Sequence, residues 1–114
     1  MKLPNPVETY VNAINAGDAD ALQSSFADDA VVRDVGREFR GLAAINEWAA
    51  QEIFAVNVTL EVLDAVERDG ETIVTVKVDG TFDRTGLPDP LVMHHSFTVG
   101  GDKIAALSCR LAAP

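Results

Sequence analysis

Cysteine occurs once in this 114-residue chain, at Cys109, so no intramolecular disulfide can form and no zinc-finger spacing exists. Basic residues are also scarce. Nine lysines and arginines stand against eighteen aspartates and glutamates, a net charge of −9. Such a surface has nothing with which to neutralise phosphates, which excludes nucleic acid and anionic membranes as partners. No apolar run approaches the ~20 residues of a membrane-spanning helix, and the start, MKLPNPVETY, lacks the apolar stretch of a signal peptide. A reducing, cytoplasmic setting is therefore expected. The phosphate-cradling GxGxxG and GxxxxGK[ST] loops are missing, as are the GxSxG elbow and the metal-binding HxH and HExxH pairs. Internal repeats and low-complexity tracts are absent too.

What remains is ordinary globular material, 47% hydrophobic and 24% charged, with no composition break. One domain over residues 1–114 is expected, long enough to bury roughly two thirds of its unfolded surface. The first half has helical periodicity. Val7, Tyr10, Val11 and Ile14 fall on one face, with Asn5 as a cap, Pro6 in the first turn and Gly17 as the stop. Asp18 caps a second, shorter helix. A strand follows around Ala30–Val35, and Gly41 opens a third helix, LAAINEWAAQEIF, with a stripe of Leu42, Ile45, Trp48, Ala49 and Ile53.

From Val56 the period changes to two. Val58, Leu60 and Val62 lead to a turn at Asp69-Gly70, and Val74, Val76 and Val78 alternate after it. Two more runs, LVMHHSFTV and KIAALSCRL, are joined by a GGD turn. Helices first and strands connected by short links afterwards predict an α+β fold, an antiparallel meander with helices on one face. A curved sheet capped by helices leaves a pocket in its concave side.

The residue that asks for an explanation is Asp34, a carboxylate inside a β-branched strand. Val32, two residues back, shares its face, which is thus partly apolar. Asp34 is either a solvated residue paired with Arg37 or Arg40, or a base in an apolar pocket, where proton transfer near neutral pH becomes useful. Tyr10 lies on the apolar face of its helix, so its hydroxyl needs a partner. His94 and His95 are adjacent on a strand and point to opposite faces, so they do not converge on a metal. Cys109 reads as a small buried hydrophobe.

The frame YVNAINAGDADALQSSFADDAVVRDVG, followed by FRGLAAINEW and the tail GGDKIAAL, resembles the nuclear-transport-factor-2-like superfamily in its ketosteroid-isomerase and SnoaL-like branch. The likeness spans nearly the whole chain. It implies a cone of three N-terminal helices on a strongly curved, mainly antiparallel sheet enclosing an apolar pocket. It further implies cofactor-free proton transfer, as isomerase, dehydratase or cyclase, on a hydrophobic carbonyl compound whose own carbonyl is the electron sink. Asp34 would be the base and Tyr10 the oxyanion donor. Counting back without gaps from Lys103 puts His94 at the place of the second oxyanion donor, and a single bulge would put His95 there instead. Trp48, Phe26, Val32 and Phe54 would line the ligand, with no metal and no cofactor. A homodimer through the convex sheet face is implied as well. The alternatives are a non-catalytic ligand-binding domain and a dimerising interaction module. An apparent lack of a second carboxylate in the pocket favours binding, and the Tyr10–Asp34 pair favours an enzyme.

Overall fold

The computed structural model describes residues 3–112. Helix α1 (Asn5–Ala16) buries Val7, Tyr10, Val11 and Ile14 on the predicted face, and Gly17 ends it in the left-handed conformation at φ 68°. Pro4 occupies the cap position, so Asn5 lies within the helix instead of capping it. Helix α2 (Ala19–Ser24) is capped by Asp18, whose carboxylate accepts from the Ala21 amide at 3.0 Å. Helix α3 (Gly41–Ala49) buries Ile45, Trp48 and Ala49, and runs into a π-helical turn at Ala50–Phe54. Wider i→i+5 bonds there include Ala55 N to Ala50 O at 2.9 Å.

Six strands make one sheet in the order β2-β1-β6-β5-β4-β3. These are β1 (Phe26–Asp34), β2 (Arg37–Arg40), β3 (Thr59–Arg68), β4 (Glu71–Asp79), β5 (Leu91–Gly100) and β6 (Lys103–Leu111). The meander of β3 to β6 is as expected, with Asp69 and Gly70 both at positive φ in the β3–β4 turn. Two features differ from expectation. A second hairpin exists, in which β1 turns through Val35 and Gly36 into β2. Strand β1 then pairs in parallel with the last strand, β6, closing the N-terminal half onto the end of the chain. Antiparallel pairing otherwise prevails throughout, and the sheet is curved but not closed.

The core lies between the helices and the inner sheet face. Val74, Phe97, Leu107, Ile104 and Val32 are all nearly inaccessible there. Among the described residues, no helix is long and apolar enough to cross a membrane.

Candidate functional site

Three neighbouring strands carry the polar residues of the inner face in a single row. Asp34 on β1 pairs in register with Cys109 on β6, and Cys109 pairs with His95 on β5. The row floors a cavity of about 100 Å³, walled by Tyr10 from α1, Trp48 from α3 and Glu52 from the π-helical turn. Leu60, Val78 and Met93 add apolar surface. A broader depression of about 590 Å³ lies elsewhere, between α2 and Lys103, but it is open, lined partly by Asp20 and Asp28, and has none of this chemistry.

Asp34 is a cavity wall and an ion-pair partner at once. Its side chain is 16% exposed, and Arg37 Nη2 donates to Oδ2 at 3.0 Å. The indole Nε1–H of Trp48 donates to the same oxygen at 3.1 Å. Among the described residues, Oδ1 has no side-chain donor. Asp34 is thus paired with Arg37, as one reading of the sequence had it, and also lines the cavity.

Tyr10 is buried, and its hydroxyl lies 3.2 Å from His95 Nδ1. Burial, followed by the nearby Cys109 and Asp34, pushes the Tyr10 hydroxyl well above the ordinary phenolic range. Burial, with a smaller effect of His94, lowers His95 to about 4, so the imidazole is neutral near pH 7. The couple therefore carries two protons, the phenolic one and one on the ring. One is used in the mutual hydrogen bond. The other remains for the cavity, on Tyr10 if Nδ1 is protonated, or on His95 Nε2 if it is not. Between this couple and Asp34 stands Cys109, whose thiol is kept protonated by burial and then by the Asp34 charge.

His94 is corrected by the structure. It lies on the outer face, where its Nδ1 is 3.1 Å from Thr75 Oγ1, and His95 takes the inner place. Strand alternation is the reason, because the cross-strand partners of His95 are the buried Val74 and Cys109, whereas those of His94 are Thr75 and Arg110. A local signal for His95 existed, since Leu91, Met93 and Phe97 share its parity and mark the inner face.

Of the expected ligand-lining residues, only Trp48 reaches the cavity. Phe26 packs edge-on against the Tyr10 ring at 6.1 Å, behind the site. Val32 is wholly covered, paired with Leu107 on one side and Phe39 on the other. Phe54 faces a separate depression beside Ile14 and Asn57. Glu52 was not anticipated and is a second cavity carboxylate. It pairs with Arg37 at 2.9 Å. Among the described residues, no cluster of three or more His, Cys, Asp or Glu side chains is arranged to hold a metal ion.

The family model described as the SnoaL-like domain matches residues 7–107. A Sinorhizobium meliloti protein provisionally named a polyketide cyclase is 33% identical, with 95% of each chain covered and a TM-score of 0.84. A Catenulispora acidiphila protein with a ketosteroid-isomerase-like fold, solved with trimethylamine, is 22% identical over 96% of this chain and 86% of that one, at a TM-score of 0.78. Mycobacterium tuberculosis RV0760c, solved with estradiol-17beta-hemisuccinate, is 14% identical over 95% and 93%, also at 0.78. The last two are similar to this chain in fold.

Proposed function

The chain belongs to the SnoaL-like domain family, and from that premise we propose that it is a cofactor-free enzyme moving a proton on a hydrophobic carbonyl compound. The observation that carries this reading is the row itself. A carboxylate with one unengaged oxygen and a neutral donor couple face one apolar cavity from opposite ends of Asp34–Cys109–His95. Asp34 takes a proton from the carbon next to the carbonyl, and the electron pair moves onto the carbonyl oxygen. That oxyanion accepts the spare hydrogen bond of the Tyr10–His95 couple. Return of the proton from Asp34 to a different carbon isomerises the compound. Loss of a leaving group or ring closure from the same enolate makes the site a dehydratase or cyclase.

The volume bounds the substrate. At ~30 Å³ per water, about 100 Å³ encloses only a few waters' worth of matter, so the cavity holds the reacting end and the rest of a larger substrate lies outside it. Solvent-monitored deuterium exchange into small cyclic enones and β-keto compounds tests the reading. Enzyme-dependent exchange that disappears in Asp34→Asn supports it, and exchange at the buffer rate sinks it.

A second reading has one observation in its favour. Both donors on Asp34 engage it as a structural ion would be engaged, which suits a binding domain that orients a ligand without turning it over. Quenching of Trp48, the sole tryptophan, by an enone that is never exchanged favours this alternative. Homodimerisation through the outer sheet face, where half-buried Ile73, Val92 and His94 lie, belongs to the proposal, and sedimentation equilibrium tests it.

A further inference from the structure

We propose that Arg37 is the positioning residue of this site, and that Glu52 holds Arg37 so that Asp34 turns one oxygen, Oδ1, to the cavity. This rests on Asp34 being the base and goes beyond it, because it says what sets the direction of the carboxylate.

The terminal torsion of an aspartate is broad and nearly two-fold, so its rotamer does not decide which oxygen faces the cavity. Donors decide it here, and both donors lie on Oδ2. Trp48 comes from a packed helix and is held by burial. Arg37 is different. Its side chain is 52% exposed, and an isolated surface pair with Asp34 would be worth little. Two further contacts restrain it. The same Nη2 donates to Glu52 Oε1 at 2.9 Å, and the guanidinium sits 5.5 Å from the Phe39 ring centroid.

Each member comes from a different element. Arg37 is the cross-strand partner of Asp34, placed there by the Val35–Gly36 turn. Glu52 comes from the π-helical turn four residues beyond Trp48, where the wider turn lets Glu52 and Ile53 both line the cavity. Arg37 thus ties the hairpin to the end of α3 across the rim. Without the guanidinium, two carboxylates at one small cavity repel each other, and Asp34 keeps only the indole donor. Proton abstraction needs the base within about 2.6–3.2 Å of its target, and a misplacement of about 1 Å costs on the order of 10²-fold.

The test uses the full chain with Arg37→Gln, Arg37→Lys and Glu52→Gln, and two readouts. The first is the indole N–H resonance of Trp48, unique because the chain has one tryptophan. The second is the deuterium-exchange rate with cyclohex-2-enone as probe, resolved into kcat and KM. Arg37→Gln and Glu52→Gln are expected to move the indole line and to lower kcat on the order of 10²-fold, with KM nearly unchanged. Arg37→Lys, which keeps the charge, recovers part of both and guards against a simple folding defect. An indole line at the wild-type position in both neutral variants overturns the proposal, whether or not the wild-type protein exchanges the probe. A loss confined to KM overturns it as well. Wild-type protein that exchanges no probe defeats the proposed reaction instead, while a displaced indole line still shows that Arg37 and Glu52 hold Asp34.

Discussion

Tyr10 and His95 are 85 residues apart in sequence, on α1 and β5, and their polar atoms meet at 3.2 Å in the interior. Each satisfies a group that the other would leave buried and unpaired, and together they present one hydrogen-bond donor to the cavity whichever tautomer the imidazole adopts. The arrangement has consequences for stability and for chemistry.

Replacing Tyr10 by Phe keeps the ring packed against Phe26 and Phe97 but leaves His95 Nδ1 without its partner. An orphaned buried acceptor or donor costs about 1–3 kcal/mol, to be read as a lower urea midpoint at unchanged m. Loss of the donor couple should also slow enone exchange by about 10²–10³-fold. An unaltered exchange rate would remove Tyr10 from the oxyanion role.

The buried imidazole makes stability depend on pH with a definite sign. His95 is lowered to about 4 in the folded chain from 6.5, so between these values the unfolded chain binds the extra proton and the folded chain does not. The stabilisation is complete above pH 6.5 and is lost as pH falls toward 4. Its full size is about 3 kcal/mol. Chemical denaturation at pH 7, 5.5 and 4.5 should show the decline, and His95→Gln should flatten that part of the profile. A wild-type profile no steeper than the variant's would contradict a neutral buried His95.

For Asp34→Asn the expectation separates catalysis from binding. The amide oxygen can still accept from Trp48, so the cavity persists while the base is gone. Exchange should drop to background, and enone quenching of Trp48 should stay within a fewfold of wild type. Loss of both together would point to a collapsed site.

Cys109 should be inert. Its thiol is pushed up by burial and by the Asp34 charge, so little thiolate exists at pH 8. Ellman's reagent should react slowly with the native chain and rapidly with the unfolded one. Cys109→Val, which keeps the volume roughly constant, should cost less than about 1.5 kcal/mol. Fast native labelling would show that the row between Asp34 and His95 is open to solvent.

Much of this was present in local pattern. The 3.6-residue spacing of Val7, Tyr10, Val11 and Ile14, the Asp18 cap, and the alternation of Val74, Val76 and Val78 each follow from short-range physics, because burial selects one face of each element. The superfamily resemblance and the α+β class hold for the same reason, and so does the inward placement of Asp34 and Tyr10. Three things needed the tertiary structure. The pairing of β5 with β4 and β6 decided that His95 and not His94 faces the cavity, because a one-residue change of register in a strand inverts every side chain. The parallel pairing of β1 with β6 brought Cys109 between Asp34 and His95, a non-local contact with no sequence period of its own. The π-helical turn and the Val35–Gly36 hairpin aimed Glu52 and Arg37 at the same carboxylate, since side-chain direction at a turn depends on how the chain closes around it. The alternating faces of the elements were determined by the sequence itself. Which charges meet at the rim was decided by how those elements pack.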